Sequence, residues 1–163
     1  MGIAVDREEF SCEDYATFSE RLAQNLETLR ALLARPGFGD SAETIGAEVE
    51  MHLVDAAGQP ALVNSRVLTA ADDPRCTLEI DAFNFEINSD PHPLAGRPFE
   101  ALGRQLEELL GIVRRAAAAE GARVVLAGTL PTLTLRHLEG DDVLSDAPRY
   151  LVSDASPAAH LKM

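Results

Sequence analysis

The chain has few basic residues for its length. Its 163 residues include 27 Asp and Glu but only 14 Lys and Arg, which gives a formal net charge of −13. Such a charge repels phosphate backbones and anionic lipid head groups, so it argues against binding nucleic acid or a membrane surface. It favours cation binding, although an acidic surface also commonly serves solubility. We therefore expect neither a nucleic-acid partner nor a membrane partner.

Cysteines and long apolar runs are also scarce. The two cysteines, Cys12 and Cys76, form no C-x-x-C motif and have no His at zinc-ligand spacing. They are typical of reduced thiols in a cytoplasmic protein. No apolar run approaches the ~20 residues that span a bilayer. Residues 1–10 carry three acids and lack the apolar stretch of a signal peptide. The sequence thus predicts a cytoplasmic location.

Several catalytic motifs are missing. The chain contains no G-x-G-x-x-G, G-x-S-x-G or H-E-x-x-H sequence. Gly128 follows a short apolar stretch but is followed by Thr-Leu-Pro, so residues 128–131 are not a phosphate-binding P-loop. That turn is either a backbone-lined turn near a ligand or an ordinary loop. Neither cysteine has a neighbouring His, which argues against nucleophilic catalysis.

The patterns that are present predict an α+β protein. A helix begins near Ser11, which with Asp14 resembles a capping box. A strand at residues 44–54, a turn at 55–60 and a return strand at 61–68 form a predicted β-hairpin. A second helix follows at residues 99–120, with Pro98 in its first turn and Gly121 at its end. A short strand at 123–127 completes a mainly antiparallel sheet with flanking helices.

Residues 44–54 alternate between apolar and polar without interruption. In a strand this places Glu48, Glu50 and His52 on one face, opposite an apolar face. Two like charges ~7 Å apart on that face repel, and a divalent cation between them would turn repulsion into attraction. The alternative is a solvated acidic face. We leave His52 out of the site, since a lone His at a strand end is more often exposed. The apolar face comprises Ile45, Ala47, Val49, Met51 and Leu53.

Residues 77–88 change the phase of their alternation. Leu78, Ile80 and Ala82 share one parity, whereas Phe83, Phe85 and Ile87 share the other. The change predicts a bulge or break near residues 82–83. If the apolar side stays buried, one polar face collects Glu79, Asp81, Asn84, Glu86 and Asn88. Beside the first strand, Glu86 would face the same side as Glu48 and Glu50; the alternative is one more polar sheet face.

Four motifs in order resemble the glutamate–cysteine ligase and carboxylate–amine ligase superfamily. Residues 45–50 resemble its opening Gly-x-Glu-x-Glu strand, and residues 85–88 with Pro91 resemble its second acidic strand. Residues 128–131 resemble its Gly-x-x-Pro turn, and residues 148–150 resemble a short Pro-Arg-Tyr motif. Each motif is loose alone, but the four with matching gaps from 45 to 150 are much more specific.

The resemblance implies an ATP-dependent ligase that joins a carboxylate, glutamate by family habit, to an amine through an acyl phosphate. It implies a curved antiparallel sheet related to that of glutamine synthetase, with Mg²⁺ (or Mn²⁺) and ATP on its inner face. By position, the metal ligands would be Glu48, Glu50 and Glu86, with Glu79 as a further one. The residues expected to bind substrate or nucleotide are Asn88, Thr129 and Arg149.

The chain also departs from that family. Many relatives have His where Leu130 stands, which points to another substrate. Relatives are much longer, so we divide this chain into a helix and linker (1–40), an N-terminal portion of a ligase domain (41–150) and an unpatterned tail (151–163) that indicates truncation. The rest of the site would come from a missing C-terminal half or from a homo-oligomer. The competing hypotheses are a non-catalytic remnant that binds a metal ion or partner protein, and an acidic structural module.

Overall fold

The computed structural model describes residues 10–140, 142–148 and 150, and within them the protein combines helices with antiparallel strands. This confirms the predicted α+β class. In chain order the elements are α1 (Cys12–Leu33), β1 (Thr44–Ile45), β2 (Glu48–Val54), α2 (Asn64–Ala71), β3 (Cys76–Leu78), β4 (Asn84–Asn88), β5 (His92–Pro93), α3 (Pro98–Ala119), β6 (Arg123–Val125) and a 3₁₀ helix (Leu135–His137).

The main sheet has four strands in the order β3-β4-β2-β6, and every neighbouring pair is antiparallel. A separate two-stranded sheet pairs β1 with β5. The predicted strand at 44–54 is therefore interrupted at residues 46–47, so that its first two residues pair elsewhere. Because β2 lies between β4 and β6, the alternating strand occupies the interior of the main sheet.

One face of the main sheet is buried beneath α2 and α3. Met51 and Leu53 of β2 are at most 1% exposed, as are Phe85 and Ile87 of β4. Burying each such side chain contributes about 1.5–3 kcal/mol, so this face fixes the strand register. The polar residues that alternate with these buried ones on β2 and β4 must then project from the opposite face. The helical residues buried in the same core are Val67, Leu109, Val113, Ala116 and Ala117.

The prediction of a return strand at residues 61–68 was wrong. An isolated bridge joins Val54 to Pro60, but α2 starts only four residues later. The reason is helical periodicity: Val63, Val67 and Ala71 recur every four residues, and Val67 is wholly buried. In so short a segment the helical and extended patterns overlap, and packing against α3 decides between them.

The predicted break in residues 77–88 is confirmed, and it is larger than a bulge. The chain reverses between β3 and β4, which pair with each other in antiparallel register. Leu78 lies opposite Phe85 across this pair, so Leu78 faces the core side with Phe85 and Ile87, whereas Ile80 lies in the connection and is exposed. The change of parity therefore marks a hairpin connection at residues 79–83.

The two long helices end as their sequences predict. Ser11 Oγ accepts from the backbone N–H of Asp14, and the Asp14 carboxylate accepts from the Ser11 N–H, which completes a capping box. Helix α3 begins at Pro98, and Gly121 after it has φ = +74°.

None of the residues of α1 is buried, so its apolar stripe faces outward. Among the described helices, none has the length and apolar content that crossing a membrane requires.

Candidate metal centre

Glu50 and Glu86 are directly opposite each other on the polar face of the main sheet. The β2–β4 register pairs Glu50 with Glu86, and it pairs Glu48 with Asn88. Directly opposed residues in an antiparallel pair have Cβ atoms about 4.5–5.5 Å apart and project to the same side. The buried alternate residues of both strands therefore force these two carboxylates together.

Glu79 joins them because the chain reverses after β3. Thr77 pairs with Glu86 across β3 and β4, and Glu79 lies two residues further along on the same parity. One carboxylate oxygen from each of Glu50, Glu79 and Glu86 lies within 4.8 Å of the other two. The structure thus brings together three of the four predicted ligands, while their role as ligands stays a prediction.

The donor set of this centre fits a hard divalent cation. Mg²⁺ binds oxygen at about 2.0–2.1 Å, so oxygens around one ion are ~3 Å apart when adjacent and ~4.2 Å apart when opposite. The 4.8 Å limit of the three carboxylates is close to that geometry, and small rotamer changes would reach it. Glu79 and Glu86 are partly buried, whereas Glu50 is exposed. The centre therefore has a solvent-accessible side at which water or substrate oxygens could complete the coordination.

Hydrogen bonds hold the Glu86 carboxylate in place. Its Oε1 accepts from Thr77 Oγ1 at 3.0 Å and from Asn88 Nδ2 at 2.6 Å. Both donors lie on the same polar face, Thr77 directly opposite Glu86 on β3 and Asn88 two residues along β4. Since they use one oxygen, the lone pairs of Oε2 stay available to a cation. This arrangement resembles the way in which metal-binding carboxylates are usually fixed by neighbouring donors.

Glu48 lies at one end of this face rather than within the group of three. It is exposed and pairs with Asn88, one step along the ladder from Glu50 and Glu86. A cavity of about 350 Å³ opens beside it, within the size range of small-molecule sites. The Ser89 hydroxyl accepts from the Ala47 N–H at 2.8 Å and so links two of its lining residues. The cavity is lined by Gly46, Ala47, Glu48, Asn88 and Ser89.

A buried amide holds the hairpin that carries Glu79 and Glu86. Asn64, at the start of α2, is 2% exposed, and its Nδ2 lies 3.1 Å from the carbonyl oxygens of both Asp81 and Asn84. The same nitrogen is 2.6 Å from Ser145 Oγ, and that hydroxyl donates to the Glu79 carbonyl. Burial raises the pKa of the Asp81 carboxyl, and the nearby His52 opposes part of that increase.

The remaining predicted site residues have separate outcomes. Asn88 lies in the site and donates to Glu86. Thr129 is exposed in the segment after β6, and Arg149 lies outside the described residues. Sequence reasoning missed Thr77, although its parity with Glu79 was a usable signal. It also missed Asn64, for which the sequence carries no signal, because its partners are contributed by distant segments.

Comparison with known protein families gives one match that spans the candidate centre. A family model described as Glutamate-cysteine ligase family 2 (GCS2) matches residues 44–156, which is more than half of the chain. The match includes β2, β4 and the whole candidate centre. No curated protein and no solved structure matches the chain.

Proposed function

This chain belongs to glutamate-cysteine ligase family 2, and on that premise we propose that it takes part in the ATP- and Mg²⁺-dependent joining of a carboxylate to an amine. The observation that carries the proposal is the meeting of Glu50, Glu79 and Glu86 on one sheet face inside the matched region. A family of ligases needs a site for a nucleotide-bound cation, and this group of carboxylates has the oxygen donors that Mg²⁺ prefers.

The proposed reaction has two displacement steps. A carboxylate oxygen of the acid substrate forms a bond to the γ-phosphorus of ATP as the bond to ADP breaks, which gives an acyl phosphate. The amine then forms a bond to the acyl carbon, inorganic phosphate leaves, and the amine loses a proton. A bound Mg²⁺ supplies neutralisation of the charge on the phosphate oxygens. We propose glutamate, or an acid like it, as the carboxylate substrate.

The residues of this chain have defined tasks in that scheme. Glu50, Glu79 and Glu86 would hold the cation, and Thr77 and Asn88 would keep the Glu86 carboxylate oriented. Substrate groups would enter through the cavity beside Glu48, whose lining includes Asn88 of the same polar face. Preorganised donors and ligands of this kind avoid the cost of reorganisation during phosphoryl transfer.

Two measurements on the purified chain test the proposal. The first is Mn²⁺ binding by electron paramagnetic resonance, with Mn²⁺ as a paramagnetic substitute for Mg²⁺. The second is ADP release with Mg²⁺-ATP, glutamate and a panel of amines. We expect Glu86→Gln to weaken Mn²⁺ binding at least tenfold and to abolish ADP release while thermal unfolding stays cooperative.

The outcomes separate the competing hypotheses. Mn²⁺ binding without ADP release favours a non-catalytic module that keeps the metal site. Absence of Mn²⁺ binding, with a melting temperature that Mg²⁺ and Mn²⁺ leave unchanged, would refute the metal centre and favour an acidic structural module. Glu107→Gln is the matched control, because Glu107 is an exposed acid on α3 outside the centre.

A further inference from the structure

His52 lies on the polar face of β2 in the same row as Glu48 and Glu50, yet it is not exposed as its sequence position suggested. Its ring is half-buried and stacks on Phe83 with centroids 6.2 Å apart, and Phe83 is 1% exposed. Both ring nitrogens have partners. Nδ1 is 2.9 Å from Oδ1 of Asn84, and Nε2 is 3.1 Å from the backbone carbonyl oxygen of Ala127.

The bond to Ala127 joins β2 to the residues that follow β6, which lie outside the sheet. His52 pairs with Val125, and the β2–β6 ladder ends at that residue. Because the strands are antiparallel, the chain after Val125 heads toward the end of β2 that carries Glu50 and Glu48. A continued ladder would place Ala127 opposite Glu50 and Thr129 opposite Glu48. The segment leaves the ladder, and His52 holds it at Ala127 instead.

The far end of the same segment is anchored separately. Leu130 is 4% exposed, and Thr132 Oγ1 donates to the Gly58 carbonyl at 2.5 Å. Between these anchors Gly128 and Thr129 are exposed. The turn at residues 127–131 is thus fixed at one end by its own apolar side chain and at the other by the imidazole of His52.

We propose that His52 is a positioning residue that holds the turn at residues 127–131 beside the carboxylate centre, where the turn forms one wall of the nucleotide site. This rests on the proposed function. A carbonyl oxygen can only accept, so Nε2 of His52 must carry the hydrogen of the Ala127 bond. Exposed backbone N–H groups and the Thr129 hydroxyl are donors, and donors next to a cation centre suit phosphate oxygens.

Two conservative variants separate the two hydrogen bonds of His52. In His52→Gln the side-chain amide reaches the position of Nε2 and can still donate to Ala127. In His52→Asn the amide reaches only the position of Nδ1, so the contact with Asn84 is kept and that with Ala127 is lost. Each variant keeps a polar side chain on the sheet face.

Amide hydrogen exchange of the full chain, read on peptides covering residues 126–133, is the first measurement. We expect about tenfold faster exchange in His52→Asn and wild-type exchange in His52→Gln. Mn²⁺ affinity should change less than twofold in both variants, because neither removes a carboxylate. The second measurement is steady-state ADP release, in which His52→Asn should raise KM for Mg²⁺-ATP about tenfold with a smaller change in kcat, and His52→Gln should restore KM.

The two proposals fail in different ways. Equal exchange in all three proteins would refute the role of His52 whatever the activity is. A loss of Mn²⁺ affinity in His52→Asn as large as in Glu86→Gln would also refute it, since His52 would then act on the metal centre itself. Wild-type protein without ADP release would refute the ligase function, and the exchange data would still decide whether His52 holds the turn.

Discussion

Glu50 and Glu86 stand directly opposite each other in the antiparallel pair of β2 and β4, and both are acids. Like charges at directly opposed positions destabilise a sheet, typically by about 0.2–1 kcal/mol relative to neutral pairs. The buried face of the same strands fixes the register, so the two carboxylates cannot separate by slipping. The metal-free protein therefore contains a repulsion that a bound cation would remove.

This repulsion gives Glu50→Gln two effects of opposite sign. We expect the variant to raise the free energy of unfolding of the metal-free protein by about 0.2–1 kcal/mol, because one of two opposed charges is gone. We expect it to weaken Mn²⁺ binding at least tenfold, because a charged ligand is lost. Urea unfolding in the presence of a chelator and Mn²⁺ titration followed by electron paramagnetic resonance measure the two effects.

Two further variants give this experiment its controls. Glu107→Gln removes an exposed charge of α3 and should change neither quantity. Glu48→Gln should have a smaller effect on Mn²⁺ than Glu50→Gln, since Glu48 lies one step outside the group of three. A Glu50→Gln protein that is less stable without metal would contradict the repulsion between Glu50 and Glu86. One that binds Mn²⁺ as the wild type does would contradict the role of Glu50 as a metal ligand.

Asn64→Ala should destabilise the protein although it lies outside the sheet. The change removes the buried amide that bonds the carbonyls of Asp81 and Asn84 and the Ser145 hydroxyl, and loss of hydrogen bonds at a buried position costs about 1–3 kcal/mol. Because these carbonyls belong to the hairpin that positions Glu79 and Glu86, Mn²⁺ affinity should fall as well. Chemical unfolding and Mn²⁺ titration measure both effects.

Thr69→Ala is the matched control for Asn64. Thr69 is exposed on the same helix, and its hydroxyl donates only to the Ser65 carbonyl one turn back. Its removal should change the free energy of unfolding by less than about 0.5 kcal/mol. Similar losses of unfolding free energy in the two variants would contradict this prediction. They would show that the side-chain hydrogen bonds of Asn64 contribute little to stability.

The parts of the site that could be predicted are those with a local periodicity. The period of two in residues 48–54 identifies Glu48 and Glu50 as neighbours on one face. The parity change in residues 77–88 predicts that Glu79 and Glu86 share one face, and they do. The structural cause is a reversal of the chain between β3 and β4 and not a bulge in one strand. In both segments buried apolar residues determine the direction of the polar ones, so the sequence carries the information.

The parts that could not be predicted depend on contacts between distant segments. His52 is predicted to be exposed because it is a lone His at a strand end, and the sequence cannot show its two partners, which lie 32 and 75 residues away. The turn at residues 55–60 predicts a return strand at 61–68, whereas packing against α3 selects a helix there. The fold class follows from element order, but the bonds that fix the site follow from tertiary structure. Metal binding at the three carboxylates and the identity of the substrates stay predictions.

The two cysteines should differ sharply in reactivity. Cys76 is 5% exposed, and burial raises the pKa of its thiol to about 11, whereas Cys12 is exposed at the start of α1. The thiolate is the reactive form, so Cys76 should react at least 100-fold more slowly than Cys12 at pH 8. An aromatic disulfide reagent should titrate one thiol in the native protein and two in guanidinium chloride. Cys12→Ser should abolish the native reaction, and a rapid second thiol in native protein would contradict the burial of β3.

The ion pair of Asp73 and Arg75 should make stability depend on pH in the acid range. Two nitrogens of the Arg75 guanidinium donate to the two carboxylate oxygens of Asp73, at 2.9 and 2.8 Å, just before β3 begins. These hydrogen bonds hold the pKa of the Asp73 carboxyl below its usual range, with burial opposing part of the decrease. Because the folded pKa is below the unfolded one, the contribution is complete above about pH 4 and is lost as pH falls through both values.

Asp73→Asn should therefore lower the free energy of unfolding by about 1.5 kcal/mol at pH 7, the size expected for hydrogen bonds to a charged group. The difference from wild type should shrink progressively below about pH 4, since the wild-type carboxyl is itself protonated there. Urea unfolding between pH 2.5 and 7 measures the difference. The exposed Asp146 provides the control, because Asp146→Asn should give a much smaller difference across the range. A loss in Asp73→Asn that stays constant down to pH 2.5 would show that the side chain contributes through packing and not through its charge.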